Sequence, residues 1–243
     1  MVRRIIRALR LYLGLHFLRV FMVRLDDAPA LRQESGLRYA ALTEPELLAW
    51  CRDGELELEE AKVLAALRRG DVCIGALHGN RLVGYVWFAF GNTPHVAGSW
   101  VRVERSTRYL YKAFVRPGCR RRGFASQMYA AASALCPRRG RVLGLLAVEA
   151  DNTAGLRTPP RAGWRGIGYA GFVRCLGRVL VFRTYGSSRY GFAFFVPGEN
   201  GQVARAPALA DRHPVGLGVH GGRRKVGLAA EETTGGFVAK TTR

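Results

Sequence analysis

Tyr109-Leu110-Tyr111-Lys112-Ala113-Phe114-Val115-Arg116-Pro117-Gly118-Cys119-Arg120-Arg121-Arg122-Gly123-Phe124-Ala125-Ser126 is the stretch on which the fold turns. Its first seven residues alternate as a strand does, and Pro117 ends them. The alanine-rich run from Ser126 to Leu135 reads as a helix. The turn between them therefore opens a helix, where several backbone N–H groups lack partners and the positive end of the dipole lies. Such a start is a natural seat for phosphate. Gly123 and Ala125 leave the backbone uncovered, and three guanidinium groups add forked donors matched to phosphate oxygens. Other phosphate loops fit less well. A P-loop needs Lys and then Ser or Thr after its second glycine, whereas Phe124 and Ala125 follow Gly123. The turn has no GxGxxG, and no GxSxG or HExxH occurs in the chain.

Outward from this turn the pattern is α/β. Upstream, Arg38–Leu42 reads as a short strand. Thr43 and Glu46 form a capping box with Pro45 in the first turn of a short helix. Leu58–Arg69 is a second helix, ended by Gly70. Val72–Leu77 and Leu82–Phe90 are strands flanking the hairpin signal His78-Gly79-Asn80-Arg81. Downstream, Val142–Val148 is a buried strand. Thr153–Ala162 begins as a helix that Pro159 and Pro160 should disturb. Val173–Arg183 supplies one or two late strands. This order predicts a mixed central sheet flanked by helices, with a parallel crossover spanning 108–148.

The 243 residues carry a net charge of +20, almost all of it from arginine. Six arginines and no acid fall in residues 1–25, and residues 26–196 still hold 25 bases against 14 acids. That excess suits an anionic partner, be it nucleic acid, a membrane surface or a phosphorylated ligand. The five cysteines are odd in number and show no CxxC spacing, so neither a disulfide framework nor a zinc site is expected, and no metal ligands are assigned. Reduced thiols suit a cytoplasmic protein. The apolar run Leu11–Leu18 is too short to span a bilayer, and the charges after it are wrong for signal cleavage. Residues 1–36 are expected to be a basic extension. Its first 25 residues are read as an amphipathic helix that packs on the domain or touches an anionic membrane surface. Residues 37–190 form the domain, and 191–243 read as a Gly-, Ala- and Thr-rich mobile tail.

Val115, Pro117, Arg120, Gly123 and Ala125 match, position by position, the V-x-P-x-x-[Q/R]-x-x-G-x-[G/A] motif of the GNAT superfamily of acetyl-CoA-dependent acyltransferases. Asn152, after the next strand, and Gly163-Trp164, where that family has Gly-Phe, resemble its second signature. The resemblance covers roughly residues 37–185 and implies acetyl-CoA as acyl donor and an amine as acceptor, small or peptidic. It implies that the CoA diphosphate lies on the amides of Arg121, Arg122, Gly123, Phe124, Ala125 and Ser126, with Arg120 beside them. It further implies that the backbone of Phe114 and Val115 pairs with the pantetheine arm, and that Asn152 supports the same edge.

Acyl transfer to an amine needs a base. Glu149, at the exit of the second strand, is the first candidate; the competing reading is a surface carboxylate paired with arginine. Tyr111 could bind the acceptor or relay a proton, although a strand tyrosine is commonly just packed. His95 stands in the loop before the first motif strand with no visible partner. The acidic segment Asp53–Glu60 would suit a cationic amine, or simply a helix N-terminus. Trp87, Phe88 and Phe90 would line a pocket or the core. One departure is plain: the tyrosine that many family members place seven residues after the asparagine, to protonate the leaving thiolate, is Pro159 here. A thiol of pKa about 8.5 can leave without that help. An N-acyltransferase, a non-catalytic acyl-CoA-binding protein and, less favoured, a basic nucleic-acid-binding protein are the competing functional readings.

Overall fold

The computed structural model describes residues 6, 9, 10, 12, 14–27, 36–175 and 178–197. These belong to the unit Met1–Ala210; the second unit, Asp211–Arg243, lies outside the described residues, and with it most of the stretch read as a tail. In chain order the strands are β1 (His16–Arg24), β2 (Leu37–Ala41), β3 (Val72–His78), β4 (Arg81–Ala89), β5 (Thr93–Pro94), β6 (Trp100–Arg102), β7 (Thr107–Val115), β8 (Leu143–Glu149), β9 (Arg165–Cys175), β10 (Arg178–Arg183) and β11 (Ala193–Phe195). The α-helices are α1 (Glu44–Trp50), α2 (Glu60–Arg68), α3 (Phe124–Leu135), α4 (Thr153–Arg161) and α5 (Tyr185–Arg189). Eight strands form one sheet in the order β10-β9-β1-β8-β7-β4-β3-β2, and β11-β6-β5 form a small second sheet. Every neighbouring pair in the large sheet is antiparallel except β7 and β8, as the crossover reading requires.

The first correction concerns the N-terminus. Residues 16–24 are not a surface helix; they form a strand in the middle of the sheet, between β8 and β9. Leu18, Val20 and Met22 face one side and Phe21 and Val23 the other, all buried. A short apolar run buried on both faces shows neither strand nor helix periodicity clearly, and its flanking arginines imitate an amphipathic helix. The lower boundary of the core thus lies before residue 37. At the other end, Phe192 and Phe194 are almost fully buried, so residues 191–195 also belong to the core rather than to a tail.

Helices α3 and α4 cover the face that carries Phe21, Val86, Phe88, Leu110, Leu146 and Trp164. On the opposite face, α1, α2 and the 3-10 turn between them bury Leu47, Val63 and Leu56 against Cys73, Tyr85 and Trp87, while Phe192 and Phe194 pack near β1, β8 and β9. Thr43 and Glu46 form the expected capping box. Helix α4 does not break at its prolines but runs through both to Arg161. The prolines fall in its last turns, where few further bonds are lost, and Thr158 Oγ1 donates to Ala154 O at 3.2 Å. The N–H groups of Ala162 and Trp164 then close the end onto Pro159 O, each at 3.0 Å.

Two features aim α3. Its carboxyl end is held by Arg108, fully buried on β7, which donates to Ser133 O and Cys136 O at 2.6 Å each and lies over the Phe88 ring at 4.8 Å. A cation against terminal carbonyls complements the helix dipole. The second feature is a register shift between β4 and β7: Trp87 pairs with Lys112 and Phe88 with Leu110, which leaves Tyr111 as the extra residue. A bulge of this kind bends and twists its strand. It lies just past the last pair linking β7 to β8, Leu110 with Leu146.

The placement of β1 has a direct test. Phe21→Ala should lower the unfolding free energy by about 4 kcal/mol in urea titrations. A chain starting at residue 26 should show no cooperative unfolding transition. A normal transition from the truncated chain would refute the central role of β1.

Candidate active site

Beyond Leu110 and Leu146 the two parallel strands separate, and the wedge between them is a cleft of about 210 Å³. Leu110, Tyr111 and Ala113 line it from β7, and Leu146, Ala147, Val148 and Glu149 from β8. Tyr129 reaches it from α3, Leu18 from β1, His95 and Val96 from the loop after β5, and Asn152 and Gly155 from the start of α4. Past Leu110 the edge of β7 that faces β8 has no strand partner among the described residues.

The arginine turn stands at the C-terminal end of β7. Arg120 N–H bonds Pro117 O at 3.2 Å, and the next amide with a backbone acceptor is that of Ser126, on Gly123 O at 3.1 Å. The five amides of Arg121 to Ala125 between them make no hydrogen bond among the described residues. Arg121 and Gly123 both lie at positive φ, +64° and +80°, a left-handed geometry that glycine adopts freely and arginine does not. Unpaired consecutive amides in this setting form an anion-binding concavity. A Cβ at Gly123 would come no nearer than 3.7 Å to Gln127 Nε2, so the glycine serves backbone conformation rather than internal packing.

The three arginines differ. Arg120 is partly structural: its Nε donates to Val115 O at 2.9 Å and it lies over the Phe114 ring at 5.8 Å. Arg121 and Arg122 are exposed and have no hydrogen-bond or ion-pair partner among the described residues. Phe114 points its side chain into the core against Tyr85, ring centres 5.5 Å apart, so only its backbone is left for a ligand. Arg116, unremarked in the sequence reading, is buried. It donates from Nε to Leu82 O at 2.6 Å, from one terminal nitrogen to Glu55 at 2.6 Å and from the other to Asp53. These hydrogen bonds hold the Asp53 carboxyl below the usual range. The acidic segment is therefore largely engaged internally: Asp53 and Glu55 neutralise Arg116, and Glu59 pairs with Lys62 at 2.6 Å.

Glu149 is not a surface carboxylate paired with arginine. Its Oε1 lies 2.7 Å from Nδ1 of His16, and its Oε2 is buried with no hydrogen-bond partner. Buried polar atoms are normally satisfied, so an orphaned carboxylate oxygen lining a cleft marks a place for a ligand donor. His16 could not be found from the sequence because it lies in the segment taken for an extension. Its side chain shares a sheet face with Glu149 because Leu18 pairs with Glu149, leaving His16 two residues away on a diagonal. The ring stacks on Phe172, centres 4.6 Å apart. Gly171 makes this approach possible, since a Cβ there would fall 2.1 Å from His16 O.

Tyr111 lines the wedge with its ring, but its hydroxyl donates to Asp71 Oδ2 at 3.1 Å, and Asp71 also accepts from Arg69 at 2.8 Å. Burial and the Asp71 charge both raise the Tyr111 phenol, so the geometry gives it a packing role and not that of a relay. Asn152 accepts from Gly155 N at 2.9 Å through Oδ1; its carbonyl caps α4 at the cleft wall. Trp87 and Phe88 belong to the core on opposite faces, and Phe90 shares the cluster of Phe88. Pro159 is buried and brings no side-chain donor.

Residues 26–164, more than half of the chain, match the profile of the Acetyltransferase (GNAT) family. The chain belongs to the GNAT family. Among solved structures, this GNAT chain is similar to a Drosophila protein (15% identity, 68% of this chain and 52% of that one, TM-score 0.47). It is also similar to a GCN5-related N-acetyltransferase from Kribbella flavida (14% identity, 62% and 54%, TM-score 0.44). A third is AAC(6')-Iy in complex with the bisubstrate analog CoA-S-monomethyl-acetylneamine (16% identity, 54% and 92%, TM-score 0.42). The chain spans about half the length of the first two. No curated protein matches the chain.

His95 gives the site a testable pH signature. Burial, aided by the nearby His16, lowers its pKa to about 4. Between pH 6.5 and about 4 the unfolded chain therefore takes up a proton that the folded chain refuses, and stability falls as pH falls through that window. His95→Gln should remove part of that loss, on the order of 2 kcal/mol, when urea midpoints at pH 7 and pH 4.5 are compared. An unchanged pH slope in the variant would refute this assignment.

Proposed function

We propose that this GNAT chain is an N-acyltransferase that moves an acetyl group from CoA to a small or peptidic amine. The reading rests on two features that share the C-terminal half of β7: five amides at the start of α3 that are unpaired among the described residues, and a cleft between β7 and β8 that Glu149 lines. The residues present fit CoA. Amides 121–125 with the guanidiniums of Arg121 and Arg122 would hold its diphosphate. The free edge of β7 would take the amide-bearing pantetheine arm as an added strand. Bound acetyl-CoA would supply an activated thioester carbonyl.

The chain's own residues supply the rest. Glu149 takes the proton from the attacking nitrogen, while His16 holds Oε1 and orients the group. A backbone N–H on the unpaired edge of β7 would stabilise charge on the carbonyl oxygen. Among the described residues Glu149 is the one carboxylate lining the cleft, and it favours an acceptor that arrives as a cation. A second reading, an acyl-CoA-binding protein without catalysis, is favoured by Pro159 alone.

Saturating acetyl-CoA should raise the melting temperature, with about 2.7 kcal/mol of added stability at a hundred times Kd. Replacing both Arg121 and Arg122 with alanine should weaken that binding roughly tenfold or more. Glu149→Gln should keep the melting shift and lower kcat at least about a hundredfold across an amine panel. No melting shift would overturn the CoA reading. A shift without transfer to any amine would favour the second reading. Full activity in Glu149→Gln would remove Glu149 as the base. Steeply salt-dependent binding to DNA or RNA in place of CoA would favour a nucleic-acid partner.

A further inference from the structure

We propose that the Tyr129 hydroxyl is the donor that meets the sulfur of the acyl thioester, an assignment that rests on the CoA reading above. Tyr129 lies in the second turn of α3, with its ring packed in the core beside Leu110, Leu146 and Met128. It lines the wedge; its hydroxyl has no hydrogen-bond partner among the described residues and is not among the polar atoms sealed from solvent. That leaves the hydroxyl open to the cleft. Its position relative to the base is the second point. Tyr129 comes from the α3 face of the sheet, whereas Glu149 and His16 come from the opposite face. The wedge closes where Leu110 meets Leu146, so a chain threaded from the arginine turn ends between the two groups.

The other tyrosines nearby are excluded. The Tyr111 hydroxyl is bonded to Asp71, and that of Tyr109 is buried without a partner on a residue that does not line the cleft. Pro159 has no donor.

The step balances as follows. The acceptor nitrogen, already the neutral amine after losing its ammonium proton to water, forms a bond to the carbonyl carbon and passes a second proton to Glu149. The carbon–sulfur bond breaks and its electron pair moves to sulfur, where Tyr129 donates a hydrogen bond to the growing charge. The thiolate then takes a proton from water, and Glu149 returns its proton to water. Burial pushes the Tyr129 phenol up to about 12, so it keeps its proton at neutral pH and acts as a donor rather than as a full acid.

The test compares the wild-type chain with Tyr129→Phe, which keeps the ring, and with Tyr129→Met. The first readout needs no turnover: ultraviolet titration of the CoA thiol in each complex, against free CoA. The thiol should ionise about tenfold more readily on the wild-type chain than on either variant. In acyl transfer, Tyr129→Phe should lower kcat roughly tenfold to a hundredfold with little change in KM for acetyl-CoA. Most of that loss should vanish with the acetyl selenoester of CoA, whose selenolate is a far weaker base and leaves without assistance. Equal thiol ionisation in the wild-type and variant complexes overturns the proposal, as does a loss that the selenoester does not relieve. Should both variants fail to melt cooperatively, a wild-type complex whose thiol ionises no more readily than free CoA overturns it too. CoA that leaves the wild-type melting temperature unmoved overturns this proposal and the CoA reading together; CoA that binds both proteins with identical thiol titration overturns this proposal alone.

Discussion

Separation of β7 from β8 is the constraint on which the site depends. Parallel strands stay paired as long as their registers and twists agree. Here the agreement ends at Leu110 and Leu146, because Tyr111 is an extra residue in the β4–β7 ladder and bends β7 away. Meanwhile β8 is held along its other edge by β1 through seven consecutive pairs. One strand is bent and its neighbour is splinted, so the gap between them is fixed in the sheet itself. The β8-facing edge of β7 and the side chains of β8 then border the same opening.

The position of the arginine turn is set by where α3 starts. Arg108 fixes the far end of the helix from inside the core, with two 2.6 Å bonds to terminal carbonyls. Arg116 fixes the strand end by tying β4 to the loop of Asp53 and Glu55. Both arginines are buried, and both sit within one turn of residues that look like part of a general basic excess. Their charge is used internally, against carbonyls or carboxylates. Within the turn, Arg121 and Arg122 are exposed and have no hydrogen-bond or ion-pair partner among the described residues.

Much of this was legible in the sequence, and the exceptions have physical causes. The crossover, the hairpin, the capping box and the glycine-containing helix start follow from local rules, and each element lies close to where periodicity puts it. The matching signatures around Val115–Ala125 and Asn152 identified the family because they are local too. Strand β1 was not legible: a nine-residue segment buried on both faces carries no alternation, and its flanking arginines suggested a surface. His16 was lost with it. The short burial at Phe192 and Phe194 was hidden by a glycine-rich continuation. The roles of Arg116 and of the Asp53 segment depend on contacts across more than sixty positions, which composition cannot reveal. Tyr111 fell on the right wall, but the direction of its hydroxyl is set by Asp71, forty residues earlier.

His16 reaches Glu149 through strand parity. The pairing of Leu18 with Glu149 fixes which side of the sheet every residue of β1 faces. Gain or loss of a single residue between His16 and Leu18 would leave the apolar pattern of the strand intact and turn the imidazole toward the helices. Such a change would alter mass and hydrophobicity very little, yet it would separate the carboxylate from its only hydrogen-bond partner among the described residues. Homologues with a strand of the same length but shifted phase would therefore need a different residue to orient that carboxylate, and the spacing from His16 to Leu18 is a feature by which relatives sharing this dyad can be told from those that merely share the fold.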